Sequence, residues 1–198
     1  MGACLRALLA LLSLLPLRAP GAPGAGAAPE VFELDPAQSF VWFEVLHFGT
    51  STLRGRFAGV EGEVTLDRTG GHSYVGLRIP TASVATGIPV LDARLRRADL
   101  LASTEYPEAF FVAQQFRFQG AQLAEVRGEF TWRGVSQPLS LLATHFACRL
   151  DPAATPAVQV CGGDFEADFQ RSGFGASFGL PFVADRVHLV ISVEGRQR

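Results

Sequence analysis

Few side chains in this sequence could do chemistry, and each of them stands alone. The four histidines, His47, His72, His145 and His188, are dispersed, with no pair at helical or strand spacing. No metal-ligand set is therefore visible, around Cys148 and Cys161 or elsewhere. The sequence contains no Gly-rich phosphate loop, no H-E-x-x-H and no G-x-S-x-G. His72 lies in a Gly-rich turn, and His188 shares a face with Arg186 and Ser192, so both read as solvated.

Two residues could meet a ligand. His47 continues the Val41, Phe43, Val45 side of an apolar run and ends it just before Gly49. It could touch a ligand's polar end, serve as a general base, or be a hydrogen-bonded rim histidine. General-base work needs an orienting carboxylate or carbonyl and a stabiliser of developing charge, and the sequence shows neither. Arg171 follows Phe165, Ala167 and Phe169 on one alternating face, where a lone charge needs a partner. Asp92 or a polar ligand head group could supply it. Cys148 and Cys161 flank the Pro-rich stretch 150–157. In an exported chain such a pair reads as a disulfide pinning a long hairpin, with two buried free thiols as the alternative.

The elements that must position these residues are short strands. Phe40 to His47 is β-branched and aromatic, and Val60 to Asp67 alternates strictly. Tyr74 to Ile79 follows the turn at 68–71, and Phe110 to Phe118 reads as a bent or bulged strand turning at Gln119-Gly120. In Glu125 to Arg133, Val126, Gly128, Phe130 and Trp132 share one face, opposite Glu125, Arg127, Glu129, Thr131 and Arg133. Leu139 to Phe146, Asp164 to Arg171 and Asp185 to Glu194 complete a set of about eight, the spacing of an all-β barrel or sandwich. Leu91 to Leu101 is instead helical in composition, with Leu91, Leu95 and Ala98 on one stripe, and suits a short cap over a barrel mouth. Large apolar residues at inward positions, among them Phe43, Phe57, Phe111, Phe130, Trp132 and Phe169, could line a dry tunnel or fill a core.

Bulk properties narrow the function classes. Basic and acidic side chains number 17 and 19, so there is no excess for nucleic acid or an anionic membrane. Every basic side chain is Arg, and the absence of Asn excludes N-glycosylation. Residues 1–27 have a basic start, a short apolar run and then small residues, which predicts a secretory signal followed by a domain over 28–198. The expected location is periplasmic or secreted. The outward charges Glu61, Glu63, Glu125, Arg127, Glu129 and Arg133 argue against a membrane-embedded barrel.

Several segments together resemble the YceI-like family of exported polyisoprenoid-binding proteins. Leu34 to His47 looks like the family's opening, although Gln38 stands where the family usually has its first His. Ser83 to Gly87, Leu91 to Leu95 and Tyr106-Pro107 look like its middle motif. Val126 to Pro138 is similar to its strand–turn–strand, and Arg171-Ser-Gly-Phe-Gly175 to a later motif. The resemblance implies an eight-stranded antiparallel, lipocalin-like barrel with an isoprenoid tail along its axis, the ligands including polyprenyl phosphates, isoprenoid quinones or similar lipids, and no reaction.

The combined expectation is a non-enzymatic carrier without a cofactor, whose partner is an apolar, long-chain small molecule. Its contact residues would be Phe43, Val45, His47, Phe57, Leu77, Phe111, Phe130, Trp132, Phe169 and Arg171. An enzyme using the same tunnel, and a filled barrel acting as a partner-binding module, are the alternatives; homodimer formation stays open.

Overall fold

The computed structural model describes residues 28–68, 72–120 and 122–198, so the expected leader over 1–27 lies outside the described residues. The strands are β1 Glu30–Leu34, β2 Phe40–His47, β3 Ser51–Phe57, β4 Glu61–Leu66 and β5 Tyr74–Pro80. They continue with β6 Glu108–Gln119, β7 Gln122–Trp132, β8 Val135–Asp151, β9 Val158–Gln170 and β10 Arg186–Gln197. One helix, α1 Pro89–Leu95, lies between β5 and β6, and Thr81–Ser83 and Arg171–Phe174 are single 3-10 turns.

All pairings are antiparallel, and β4 to β10 follow one another as a meander. The last strand closes the sheet. Beside β9, β10 pairs on its other edge with β2 through His188–Ser192 and with β1 through Gly195–Gln197. β1 and β2 are thus two halves of one bent strand, and so are β3 and β4, which pair with them. Ten segments make an eight-stranded closed barrel. The first bend is an Asx turn: the Asp35 carboxylate accepts a bond from Ala37 N at 2.9 Å, with Pro36 between them. The second bend passes through Gly59, whose φ of +67° only glycine adopts without strain.

Closure leaves one seam. At the α1 end the free edge of β3 meets no strand; Arg56 and Ala85 exchange two backbone bonds of 2.9 Å there. Ser83 Oγ adds a third by accepting from Ala58 N at 3.1 Å.

Period-2 alternation sends the apolar set inward. Val187, Leu189 and Ile191 of β10, Leu139 and Leu141 of β8, and Phe165 and Ala167 of β9 are all buried. Each such large side chain contributes roughly 1.5–3 kcal/mol by leaving water. Phe43 lies over Gly55, its β3 partner, where an added Cβ would come within 2.5 Å of the ring. At the opposite end from α1, Cys148 and Cys161 face each other across β8 and β9 and form the expected disulfide. Cys161 packs there with Phe32 and Leu66.

Some expectations are corrected. β1 and β3 are strands that the alternation did not reveal, and β8 runs to Asp151 rather than stopping at Phe146. The helix stops at Leu95, where the chain folds back so that Leu101 N donates to the Leu95 carbonyl and Ser103 N to that of Arg96. Leu95, Leu100 and Leu101 face inward, while Ala98 is exposed. Glu125 is 5% exposed, since register shifts in β6 between Ala113 and Gln115 and between Arg117 and Phe118 tuck it between two arginines. Arg117 Nε and Arg127 Nε donate to its carboxylate at 3.0 and 2.8 Å. These two partners hold its pKa down at about 2.

Candidate functional site

The α1 half of the barrel encloses a cavity of about 140 Å³; counting its mouth, the atom-free space is about 1040 Å³. Eight strands and the loops above them, which form a lid, contribute walls: Val41, Phe43 and Val45 from β2, Phe57 from β3, Leu77 and Ile79 from β5. Opposite them lie Phe111 of β6, Phe130 and Trp132 of β7, Leu139 and Leu141 of β8, Phe169 of β9, and the inward side of β10. Val84, Leu95, Leu100, Leu101 and Ala176 cover it from above. Phe130, Trp132, Phe169 and Phe174 form an edge-to-face and tilted cluster with centroids 5.3–6.1 Å apart.

No polar atom is exposed to the cavity. The Thr81 hydroxyl lies 2.8 Å from the Tyr106 carbonyl and 3.0 Å from that of Pro107, and donates there. The Arg171 guanidinium, 5% exposed, donates to four backbone carbonyls. Nε reaches Ala184 at 2.9 Å, Nη2 reaches Val183 at 2.8 Å, and Nη1 serves both Ala176 and Phe178, the latter at 2.9 Å. Burial pulls its pKa below the usual arginine value, an effect that the nearby Asp185 charge opposes. The Trp132 indole N–H is buried in the wall and meets no acceptor. A cavity of this volume could hold water, but water needs polar partners that this wall does not present.

A second cavity of about 70 Å³ lies below, lined by Phe32, Leu66, Phe116, Phe146, Cys161 and Phe165 among others. Leu77, Phe111, Leu141 and Ile191 belong to both cavities. They form a neck between two chambers.

Nine of the ten contact residues expected from the sequence, Phe43, Val45, Phe57, Leu77, Phe111, Phe130, Trp132, Phe169 and Arg171, line the upper cavity together. His47 does not. It is exposed at the end of β2, edge-on to Phe48 with centroids 4.6 Å apart, and no carboxylate orients its ring among the described residues. Nor does Arg171 pair with Asp92, whose carboxylate accepts from Thr86 N and Oγ1 at 2.7 and 2.6 Å. The sequence reading missed the walls from β8 and β10, although their alternation was the available signal. It also missed Arg133, placed outward by alternation. Arg133 sits at φ 52° in the β7–β8 turn and reaches back over the barrel. Nε donates to the Phe174 carbonyl at 3.0 Å, and Nη1 to those of Ala98 and Leu100 at 2.7 Å.

The YceI-like domain model matches residues 32–195, from within β1 to within β10. The chain belongs to the YceI-like family. Protein YceI of Shigella flexneri is 32% identical over 173 residues, 87% of this chain and 88% of that protein. Protein YceI of Escherichia coli O157:H7 is 31% identical over the same coverage. Among solved structures, BcnA of Burkholderia cenocepacia superposes with a TM-score of 0.67 at 20% identity, over 81% of this chain and 98% of that one. A polyisoprenoid binding domain from Saccharophagus degradans, implicated in plant cell wall breakdown, gives 0.62 at 16% identity, over 84% and 98%. Both establish the shared fold.

Apart from Leu34 to His47, which lies in β1 and β2, the motifs of the YceI-like resemblance contribute to the lid. Asp92 ties Leu91–Leu95 to Thr86, Arg133 ties the β7–β8 turn to both lid segments, and Gln137 Nε2 donates to the Gly173 carbonyl at 2.7 Å. Arg171 then gathers the 176–184 segment around its own guanidinium.

Proposed function

We propose that this protein is a non-enzymatic binding or carrier protein that holds an isoprenoid or other long apolar chain inside the barrel, after export to the periplasm. The observation that carries this reading is the barrel cavity whose exposed wall is entirely apolar. An apolar ligand that fills it gains roughly 25 cal/mol for each Å² of apolar surface taken out of water. The polyisoprenoid-binding neighbour and the family membership support the same ligand class. The leader-like composition of 1–27 supports export. Among the described residues no group of His, Cys, Asp and Glu could hold a metal, and no helix is long and apolar enough to cross a membrane.

Native mass spectrometry of the mature protein expressed in the periplasm, followed by organic extraction, tests the proposal. A stoichiometric long-chain apolar species is expected. A clean apo mass, together with failure to take up added isoprenoid, would overturn it in favour of a filled-barrel interaction module. Phe130→Glu puts a carboxylate against Phe169 and Phe174. It should abolish uptake by wetting the cavity.

A further inference from the structure

The outer side of the lid end is apolar, and the carrier reading makes no use of it. Of the twelve large apolar side chains exposed among the described residues, six lie here: Leu46, Phe48, Ile88, Val90, Phe178 and Phe182. Contacts link them. Phe48 N donates to the Phe182 carbonyl at 2.6 Å, the two rings stack with centroids 5.6 Å apart, and Ala184 N donates to the Leu46 carbonyl at 2.9 Å. The Arg94 guanidinium lies 4.1 Å from the centre of the Phe178 ring, and Val90 stands one turn before Arg94 on the same face of α1. The inner sides of these same segments close the cavity, through Val45, Leu95 and Ala176. A linked apolar patch of this kind marks a contact surface, where singly scattered side chains would not.

Charge points to the occupant. The stretches that carry four of the six, 45–53 and 172–184, contain no Asp, Glu or Arg, so they can leave water without burying a charge. Beside them Arg96 and Arg97 are exposed. The near balance of the whole chain hides a polarity. Residues 81–107, 133 and 171–185 carry five arginines and four acids, whereas the rest of 28–198 carries ten arginines and fifteen acids. Apolar tips without carboxylates, framed by arginines at the one end where cations are in excess, suit the acyl margin and the anionic headgroups of a bilayer. We propose that the lid end is a membrane-docking surface. Phe48, Phe178, Phe182 and Val90 enter the headgroup boundary of a bilayer that contains anionic lipid, Arg96 and Arg97 meet its headgroups, and the acidic barrel wall stays in water. The contact is peripheral, sets the covered end of the cavity against the bilayer, and holds whatever the barrel carries.

The test is co-sedimentation of the mature protein, expressed in the periplasm, with sucrose-loaded vesicles of phosphatidylethanolamine and phosphatidylglycerol, and with vesicles of phosphatidylcholine alone. Binding to the first kind should exceed binding to the second and should weaken as added salt screens the arginines. Phe48→Ser combined with Phe182→Ser should reduce binding at least about tenfold. Leu150→Ser removes an exposed apolar side chain at the disulfide end and should leave binding unchanged. Melting temperatures near that of the wild type show that the variants are folded. If the double variant is not, Val90→Glu, at the most exposed of the six with 77%, takes its place. Failure of the wild type to bind either vesicle, binding that survives loss of the patch, or an equal loss in Leu150→Ser would overturn the proposal. So would a dimer in sedimentation velocity that the patch variant dissolves while vesicle binding is absent, since the patch would then be an interface between two copies. Each of these results leaves the carrier reading, which the extraction of bound cargo tests, untouched.

Discussion

Phe111→Ala should lengthen the barrel's reach. Phe111 is 3% exposed and faces both chambers, flanked across the sheet by Leu77 and Phe130. Removing its ring joins spaces of about 140 and 70 Å³. The structural loss is that of a buried Phe→Ala change, ~3–5 kcal/mol. At roughly 2–4 °C per kcal/mol for a domain of this size, the melting temperature should fall by about 6–20 °C. The ligand gains in return. Each CH2 moved from water into an apolar enclosure contributes about 0.8 kcal/mol, so a further five-carbon unit gains at most ~4 kcal/mol before the loss of its own freedom is subtracted. The assay is a titration series of isoprenoid alcohols growing by one unit. In the wild type the gain per unit should stop once the tail meets the neck of Leu77, Phe111, Leu141 and Ile191. In Phe111→Ala it should continue for about one unit more, provided that the variant is measured below its lowered melting point. An unchanged plateau, or a uniform loss across the series, would refute the two-chamber reasoning.

Three further perturbations probe the frame. The Cys148–Cys161 bond closes a segment of sequence separation 13; reduction should cost about 3 kcal/mol and lower the calorimetric melting temperature by roughly 6–12 °C. Glu125 has its folded pKa depressed from 4.5 to about 2 by Arg127 and Arg117. A depressed carboxylate contributes stability that is complete above its unfolded pKa and lost as pH falls through the folded one. Stability should therefore decline between about pH 4.5 and 2, and Glu125→Gln should flatten that limb in denaturant titrations. Arg171→Lys should not preserve the lid: three ammonium protons cannot reproduce a planar fork that serves four carbonyls. Limited proteolysis should cut the 176–184 segment of the variant while sparing the strands.

The inner face was legible wherever alternation was regular. Val126, Phe130 and Trp132 line the two cavities as their spacing requires, and nine expected contacts converge on one of them. β3 was hidden for a physical reason. Its inward positions are Leu53, Gly55 and Phe57, and the middle one is empty because Phe43 fills it from the next strand. β1 is only five residues long and abuts the small-residue leader. His47 followed the parity of its strand, but the strand emerges from the barrel at Leu46, so parity no longer meant inside. The partners of Arg171 and Arg133 are backbone carbonyls of loops, which no side-chain pattern announces. The idle indole of Trp132 is equally invisible in a sequence, because it is defined by what fails to surround it.

The seam beside β3 makes the barrel unequal around its circumference. Elsewhere strand pairs with strand, as in the eleven paired positions from Arg186 to Arg196 between β9 and β10. Beside β3 it is three hydrogen bonds linking Arg56 and Ala58 to Ser83 and Ala85. Local opening follows the number of bonds and contacts that must break, so the least costly fluctuation parts this seam and swings the segment that carries Val84, leaving the rest of the barrel closed. On the proposed carrier reading, a bound tail need not wait for the domain to unfold. The opening rate of this side door would then bear on its release, separately from how tightly the barrel holds it.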